Sequence, residues 1–268
     1  MIGVQDAPDT FAYGCNTPGC WAEKSSVVFR FYCDVSYDGC SPLKTKGKPH
    51  VATTLVVAGI TAHEDIWNAL EGAWSRVNDS FGVPRFHGSH LNSRTHEYAG
   101  WGNEKQRLYS RTMLRLLGMC GKELGVVSSG IYADEYQTVI SREGRAKFGS
   151  PYIASFNSCI TGLAHLMKGN PADDQFAVIL DKDEGWQEAQ DSFYWLKDES
   201  SFLHRHRLLS CTPFGMEEAI CLQAADLVAF EMYKALARFR KGQIDRRYPM
   251  KSLLKHNLVR EGYYEKRT

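Results

Sequence analysis

Two apolar segments of the sequence each run straight into an aspartate, and this feature constrains the fold most strongly. The first, "VVFRFYC", ends at Asp34, and the second, "FAVIL", ends at Asp181. Runs rich in β-branched and aromatic residues predict strands. Because burial penalises a charged carboxylate, we expect Asp34 to lie just beyond a sheet edge, to be capped by turn amides, or to be held by a cation. Two strands that end this way predict a functional site at the carboxyl edge of an α/β sheet.

The rest of the chain alternates between helical and strand patterns. Residues 51–60, "VATTLVVAGI", predict a strand that returns beside the first one as a hairpin. Hydrophobic periodicity predicts further strands at 85–91, 125–133 and near 207–211, and helices at 62–82, 103–124, 151–168, 187–199 and 217–241. We therefore expect one α/β domain with helical insertions over residues 25–241, an irregular arm at 1–24, and a basic tail at 242–268.

Composition narrows the class of protein. The chain has 268 residues, of which 43% are hydrophobic, so it can bury a sizeable core. No segment approaches the roughly 20 apolar residues that a membrane-spanning helix needs. The N-terminal segment lacks the basic and apolar regions of a secretion signal. We therefore expect a soluble, cytoplasmic protein with no membrane partner.

Eight cysteines are scattered through the sequence. A domain of this size needs no disulfides, so reduced thiols are expected. Four of them lie near the N-terminus, at Cys15, Cys20, Cys33 and Cys40. Their spacing is looser than that of structural zinc sites, so free thiols and a zinc site both stay open. A zinc protein or a cysteine-dependent enzyme is therefore one functional alternative.

Charge is distributed unevenly along the chain. The net charge is only +1, but residues 238–268 hold ten Lys and Arg against three Asp and Glu. The preceding part of the chain is correspondingly acidic. This asymmetry suits a body that binds cations and a tail that attracts polyanions such as nucleic acid, although a solvated basic surface helix also explains it.

The predicted helix at 217–241 carries two polar residues at the border of an apolar stripe. Gln223 and Asp226 lie three positions apart, so they share a face. Asp226 is flanked by alanine and leucine, and we expect it to be partly removed from water. The stripe that should face the sheet consists of Leu222, Ala225, Ala229, Met232 and Leu236.

Convergence of Asp34, Asp181 and Asp226 would create a cation site. Their mutual repulsion would raise a carboxyl pKa or require a divalent cation. Carboxylate oxygens without cysteine or paired histidine favour Mg²⁺ or Mn²⁺. Such ions support phosphodiester hydrolysis by activating water and stabilising the leaving oxygen. Taken singly, the two strand-end aspartates can also cap turns, and Asp226 can pair with a basic residue.

Four motifs, in order over residues 27–238, resemble a family designated domain of unknown function 3800. They are "YCDVSYDG", "FHGSHL", "AVILDKD" and "CLQAADLVAF". The last is the most specific, because its Gln, Ala, Asp and Leu all stand in place. The resemblance implies a ribonuclease H-like fold, with a mixed central sheet flanked by helices on both faces. It also implies an Mg²⁺ or Mn²⁺ site formed by Asp34, Asp181 and Asp226, and a nuclease acting on DNA or RNA.

The first motif departs from the family pattern. Val35 stands where the family usually has glutamate, and Tyr37 displaces a glycine. Asp38 either supplies the missing acid or forms a turn before the next glycine. A catalytically inactive module that binds nucleic acid or a protein is therefore the alternative to a nuclease.

Five further residues are candidates for the site. By its match to the family motif, His87 is predicted to move a proton or contact phosphate, and Gln223 to orient water or a carboxylate. His90 is a candidate for substrate binding, although strand geometry would send it to the face opposite His87 unless Gly88 forms a turn. Strand alternation would place Arg205 and Arg207 on one face as phosphate contacts. Each also has a structural explanation: a bonded core histidine, a surface amide or an edge strand.

Overall fold

The computed structural model describes residues 27–37, 54–167, 170, 174–182, 185–243, 245 and 247–255. The strands are β1 (Val28–Tyr37), β2 (Thr54–His63), β3 (Gly125–Tyr132), β4 (Gln175–Asp181) and β5 (Leu208–Phe214). The helices are α1 (Glu64–Phe81), α2 (Gly88–Ser93), α3 (Asn103–Cys120), α4 (Ala133–Val139), α5 (Arg142–Phe148), α6 (Pro151–Leu166), α7 (Trp186–Asp198), α8 (Cys221–Arg240) and α9 (Tyr248–Lys255). None of the described helices is both long enough and apolar enough to cross a membrane.

The described strands form one mixed sheet. Their order is β3-β2-β1-β4-β5. The pairs β1–β2 and β2–β3 are antiparallel, so the predicted hairpin of the first two strands is confirmed. The pairs β1–β4 and β4–β5 are parallel. Strands β1 and β4 therefore end at the same edge of the sheet, as the two aspartate-terminated segments require.

Helices cover both faces of this sheet, which confirms the predicted α/β class and its flanking helices. Alternation along β1 sends Phe31 and Cys33 into the core beneath α6 and α7, and Tyr32 into the core that includes α8. Helix α8 is the inner helix of its layer, and its first ten residues are all buried. Helices α1, α3 and α9 contribute to the same core.

One of the predicted strands folds differently, and the strand predicted near 207–211 is confirmed but begins after Arg207. The segment 85–91 is wrong as a strand, because helix α2 begins at Gly88. Phe86 and Leu91 are both buried, and an odd spacing of five residues cannot place two side chains on one face of a strand. Residues 205–207 form a 3₁₀ turn, and β5 begins only at Leu208, so alternation does not govern those residues.

Of the two segments that flank the predicted domain, the structure describes part of the C-terminal one only. Residues 1–24 lie outside the described residues, as do Cys15, Cys20 and Cys40. Cys33 is buried in the core, and burial raises the pKa of its thiol well above the ordinary value. Residues 248–255 of the predicted tail form α9, in which Met250 is buried against the core that contains α3 and α8.

Candidate active site

A cavity of about 490 Å³ opens at the carboxyl edge of β1 and β4. Side chains from four parts of the fold meet there: the ends of both strands, the segment 85–89, the loop before α8, and α8 itself. We call this cavity the acidic pocket. Its lining includes the three predicted acidic ligands and three basic or titratable residues, Asp34, Asp181, Asp226, Arg85, His87 and Lys182.

The sheet register places Asp34 beside Asp181. Parallel pairing aligns Cys33 with Leu180, and one further step along both strands aligns the two aspartates. Residues in register on adjacent parallel strands point to the same face. Tyr32 and Ile179, two residues earlier on each strand, both lie in the α8 core, so this shared face is the α8 side. The strands thus present both carboxylates toward α8.

Asp226 reaches the pocket from the second turn of α8. It is 4% exposed, and its Oδ2 accepts a hydrogen bond of 2.7 Å from the backbone N–H of Gly88. The same oxygen lies 3.4 Å from Nδ1 of His87. Burial of a polar group is costly unless donors such as these satisfy it. Three elements therefore bring Asp34, Asp181 and Asp226 to one cavity.

His87 lies on the pocket wall beside Asp226. Burial alone would lower the pKa of His87, but the neighbouring Asp226 carboxylate outweighs that effect, and the pKa is raised above its ordinary value. The two groups are at ion-pair distance, and the histidine therefore carries its proton more readily than a solvated one.

His90 lies behind His87 and does not line the pocket. Helix α2 begins at Gly88 and brings the two rings together, with centroids 3.9 Å apart and planes tilted by 33°. Nδ1 of His90 lies 3.5 Å from Oε2 of Glu97, and burial, followed by the charge of His87, lowers the pKa of His90. His90 is placed to support His87 from behind, and its predicted contact with substrate stays a prediction.

Gln223 occupies a different environment from the one expected. Its amide is 1% exposed and does not line the pocket. The oxygen Oε1 accepts hydrogen bonds from Trp74 Nε1 and Asn78 Nδ2, both at 3.0 Å, and from the N–H of Phe86 at 2.8 Å. Its Nε2 donates to the carbonyl of Met216 at 3.1 Å. These four bonds engage both ends of the amide. Gln223 therefore has a structural role, instead of the predicted one of orienting water or a carboxylate.

Arg205 and Arg207 lie at the other end of the sheet. They precede β5, whose first residue pairs with Phe176 near the start of β4. A strand as long as β4 spans about 20 Å, so the two arginines are remote from the acidic pocket. Arg207 is 5% exposed and donates to the carbonyls of Asp174 and Asn170 at 3.2 and 3.3 Å. Arg207 thus stabilises the chain before β4 through these bonds. The structure does not bring either arginine to the predicted site.

Two cations that the sequence reasoning missed do line the pocket. Arg85 precedes the histidine motif by two residues, and Lys182 directly follows Asp181. Lone basic residues in polar segments carry no signal in a single sequence, so their position became visible only with the fold. Val35 and Tyr37 of the first motif line the pocket as well, while Asp38, Asp183 and Glu184 lie outside the described residues.

The donor chemistry of the pocket fits a hard divalent cation. Carboxylate oxygens from Asp34, Asp181 and Asp226 are the ligands that Mg²⁺ and Mn²⁺ prefer. Within the described residues, no three acidic, histidine or cysteine side chains are already grouped closely enough to hold a metal ion. The three acids therefore share a cavity, and holding an ion would require their carboxylates to close upon it.

Two comparisons with known proteins were negative. No model of a known protein family matches the chain. No curated protein matches it either. The arrangement of side chains around the acidic pocket is accordingly the main evidence on function.

Proposed function

We propose that the chain is a divalent-metal-dependent nuclease with a ribonuclease H-like fold, and that it hydrolyses phosphodiester bonds in the acidic pocket. The observation that carries the proposal is the meeting of Asp34, Asp181 and Asp226 in one cavity. The three residues come from two neighbouring strands and one buried helix. An acidic cluster at the carboxyl edge of an α/β sheet is where such chemistry is usually found.

Asp34, Asp181 and Asp226 would hold Mg²⁺ or Mn²⁺, which when bound supplies an activated water and stabilises the leaving oxygen. Asp34 and Asp181 both lie on strands of the sheet, which limits their motion. The N–H of Gly88 orients Asp226 through its bond to Oδ2. His87, beside that carboxylate, is placed to hold a proton near the reacting phosphate and to release it to a leaving oxygen.

The test is cleavage of DNA and RNA, single- and double-stranded, with Mg²⁺ or Mn²⁺ and with EDTA. We expect cleavage only with metal, and its loss in Asp34→Asn and in Asp226→Asn. Asp191→Asn, an exposed acid on α7, is the matched control and should cleave like the wild type. Cleavage that persists in EDTA, or in both pocket variants, would overturn the proposal.

A second candidate function is a catalytically inactive module that binds nucleic acid. Val35 lines the pocket where the resembling family has an acid, which removes one carboxylate from the site. This candidate predicts salt-sensitive binding that persists in EDTA, without turnover on any of the four substrates. Cleavage by the wild type that depends on Asp226 would exclude it.

A further inference from the structure

Arg85 lies on the wall of the acidic pocket in an unusual setting. Its side chain is 34% exposed, so the guanidinium reaches both protein and solvent. Nη1 lies 3.5 Å from a carboxylate oxygen of Glu217, and Nε lies 4.0 Å from Oε1 of Glu97. Arg85 and His87 both line the acidic pocket. The carboxylates of Glu217 and Glu97 therefore hold Arg85 on the side of the pocket where His87 lies.

The donors of Arg85 remain available for a ligand. Charge-assisted N–H···O bonds are about 2.7–2.9 Å long, and both carboxylate contacts of Arg85 are longer than that. Among the described residues, none accepts a hydrogen bond from its side chain. A structural arginine such as Arg207 instead donates to two carbonyls. Arg85 is thus oriented by two neighbouring charges, while the N–H groups of its guanidinium are available to bind a ligand.

A second cation comes from the strand side of the pocket. Lys182 follows Asp181, and its backbone N–H donates to the carbonyl of Phe214 at 2.8 Å, which fixes the end of β4. Its side chain is exposed and lines the cavity. The pocket therefore has acids that suit a metal ion and cations from two different elements that suit an anion.

We propose that Arg85 binds a phosphate group of the substrate in the acidic pocket, and that Lys182 makes a weaker contact to the same phosphate backbone. This inference rests on the proposed function and deepens it, because it assigns the phosphate contact that Arg205 and Arg207 do not supply. A guanidinium fork matches two phosphate oxygens at once, whereas an ammonium acts as a point charge. Arg85 is therefore the stronger of the two contacts.

The test measures binding rather than turnover. A fluorescently labelled single-stranded DNA oligonucleotide is titrated with protein in EDTA, by anisotropy, between 50 and 200 mM salt. Each phosphate contact on a single strand contributes about 0.7 to the slope of log affinity against log salt concentration. We expect Arg85→Gln to lower that slope by about 0.7 and to weaken binding about tenfold at the lowest salt. Lys182→Gln should lower the affinity less.

Two further variants make the result specific. Arg76→Gln removes an exposed arginine of α1 that does not line the pocket, and it should leave slope and affinity unchanged. Arg85→Lys keeps the charge without the fork, so it should restore the slope and recover only part of the affinity. Urea unfolding of each variant checks that the fold is intact.

The outcomes separate this inference from the nuclease proposal. If Asp226→Asn abolishes cleavage while Arg85→Gln behaves like Arg76→Gln, the Arg85 assignment is wrong and the nuclease stands. If Arg85→Gln lowers the slope but the wild type cleaves nothing, the phosphate contact stands and the nuclease falls. A wild type that binds no oligonucleotide at any salt overturns the Arg85 assignment, and the cleavage assay with metal then decides the nuclease by itself.

Discussion

Two polar residues on α8, one turn apart, occupy opposite kinds of environment. Gln223 is 1% exposed and Asp226 is 4% exposed, so burial alone does not distinguish them. The amide of Gln223 is bonded at both ends to the protein, in what we call the Gln223 network: Trp74, Asn78, Phe86 and Met216. Asp226 instead opens onto a cavity that it shares with Asp34 and Asp181.

The comparison teaches that hydrogen-bond partners, rather than burial, distinguish the closed environment of Gln223 from the open one of Asp226. The two environments are also connected. Phe86, held by Gln223, directly precedes His87, and Met216, held at its carbonyl, lines the pocket. A closed set of hydrogen bonds thus fixes two walls of the acidic pocket.

The largest expected effect is on stability, from breaking the Gln223 network. Gln223→Leu keeps the side-chain volume but leaves three buried donors without an acceptor. An unsatisfied buried group costs about 1–3 kcal/mol, so the free energy of unfolding should fall by about 4 kcal/mol or more. Urea denaturation measures this. The exposed Gln187→Leu on α7 is the control and should change stability by less than about 0.5 kcal/mol.

Removing the charge at Asp226 should affect activity and spare stability. In Asp226→Asn the amide oxygen can still accept the N–H of Gly88, so we expect unfolding to change by less than about 1 kcal/mol. Turnover with Mn²⁺ should fall about 10³-fold, which corresponds to about 4 kcal/mol of transition-state stabilisation. Steady-state cleavage and urea unfolding, run on the same preparation, check both halves. An Asp226→Asn variant that unfolds at a much lower urea concentration than the wild type but still cleaves would contradict this prediction.

Glu231, further along α8, adds a buried acid with an incomplete set of partners. Burial raises its pKa to about 7, although Arg247, 3.5 Å away, and Lys234 oppose the shift. The folded state then keeps a proton that the unfolded chain loses, so this contribution to stability is lost as pH rises from about 4.5 to 7. Glu231→Gln should remove that loss, worth about 3 kcal/mol.

The measurement for Glu231 is urea unfolding at pH 4.5 and at pH 8. The stability of Glu231→Gln relative to the wild type should be greater at pH 8 than at pH 4.5 by the amount given above. Glu188→Gln, which removes an exposed acid from the first turn of α7, is the control and should change stability by less than about 1 kcal/mol at either pH. A Glu231→Gln variant that is equally displaced from the wild type at both pH values would show that Glu231 stays ionised in the fold.

The smallest of these effects concerns Gly88, the first residue of α2, which packs against α8. A Cβ on Gly88 would lie 2.8 Å from Cβ and Cγ of Phe230. Gly88→Ala should therefore push α2 from α8, cost about 2 kcal/mol of stability, and weaken the N–H bond to Asp226. Gly72→Ala on α1 meets only the flexible end of Arg76, at 3.4 Å, and should stabilise the protein by about 0.5–1 kcal/mol. Opposite signs in urea unfolding are the expected result.

The sequence alone predicts those helices and strands in which the hydrophobic periodicity and the positions of the polar residues indicate the same arrangement. The apolar segments before Asp34 and Asp181 are long, so their pattern predicted both strands and their common edge, although β1 continues past Asp34 to Tyr37. Helix α8 was readable from its apolar stripe, which placed Asp226 facing inward. These features depend on local pattern, which one sequence contains.

Long-range contacts were not readable from the sequence. The role of Gln223 depends on Trp74 and Asn78, which lie 149 and 145 residues away along the chain. Arg85 and Arg207 are the same residue type, and only the fold places one at the pocket and the other at the opposite end of the sheet. Short segments were also ambiguous, so α2 was mistaken for a strand, and α4 and α5 were not predicted.

The most direct test of the central claim is calorimetric titration of Mn²⁺ into the wild type and into Asp34→Asn, Asp181→Asn and Asp226→Asn, with Asp191→Asn as the control. If the three acids form one cation site, the wild type and the control bind Mn²⁺ alike, and each pocket variant loses at least about tenfold in affinity. A wild type that binds no Mn²⁺, or pocket variants that bind it as the control does, would contradict a shared metal site in the acidic pocket.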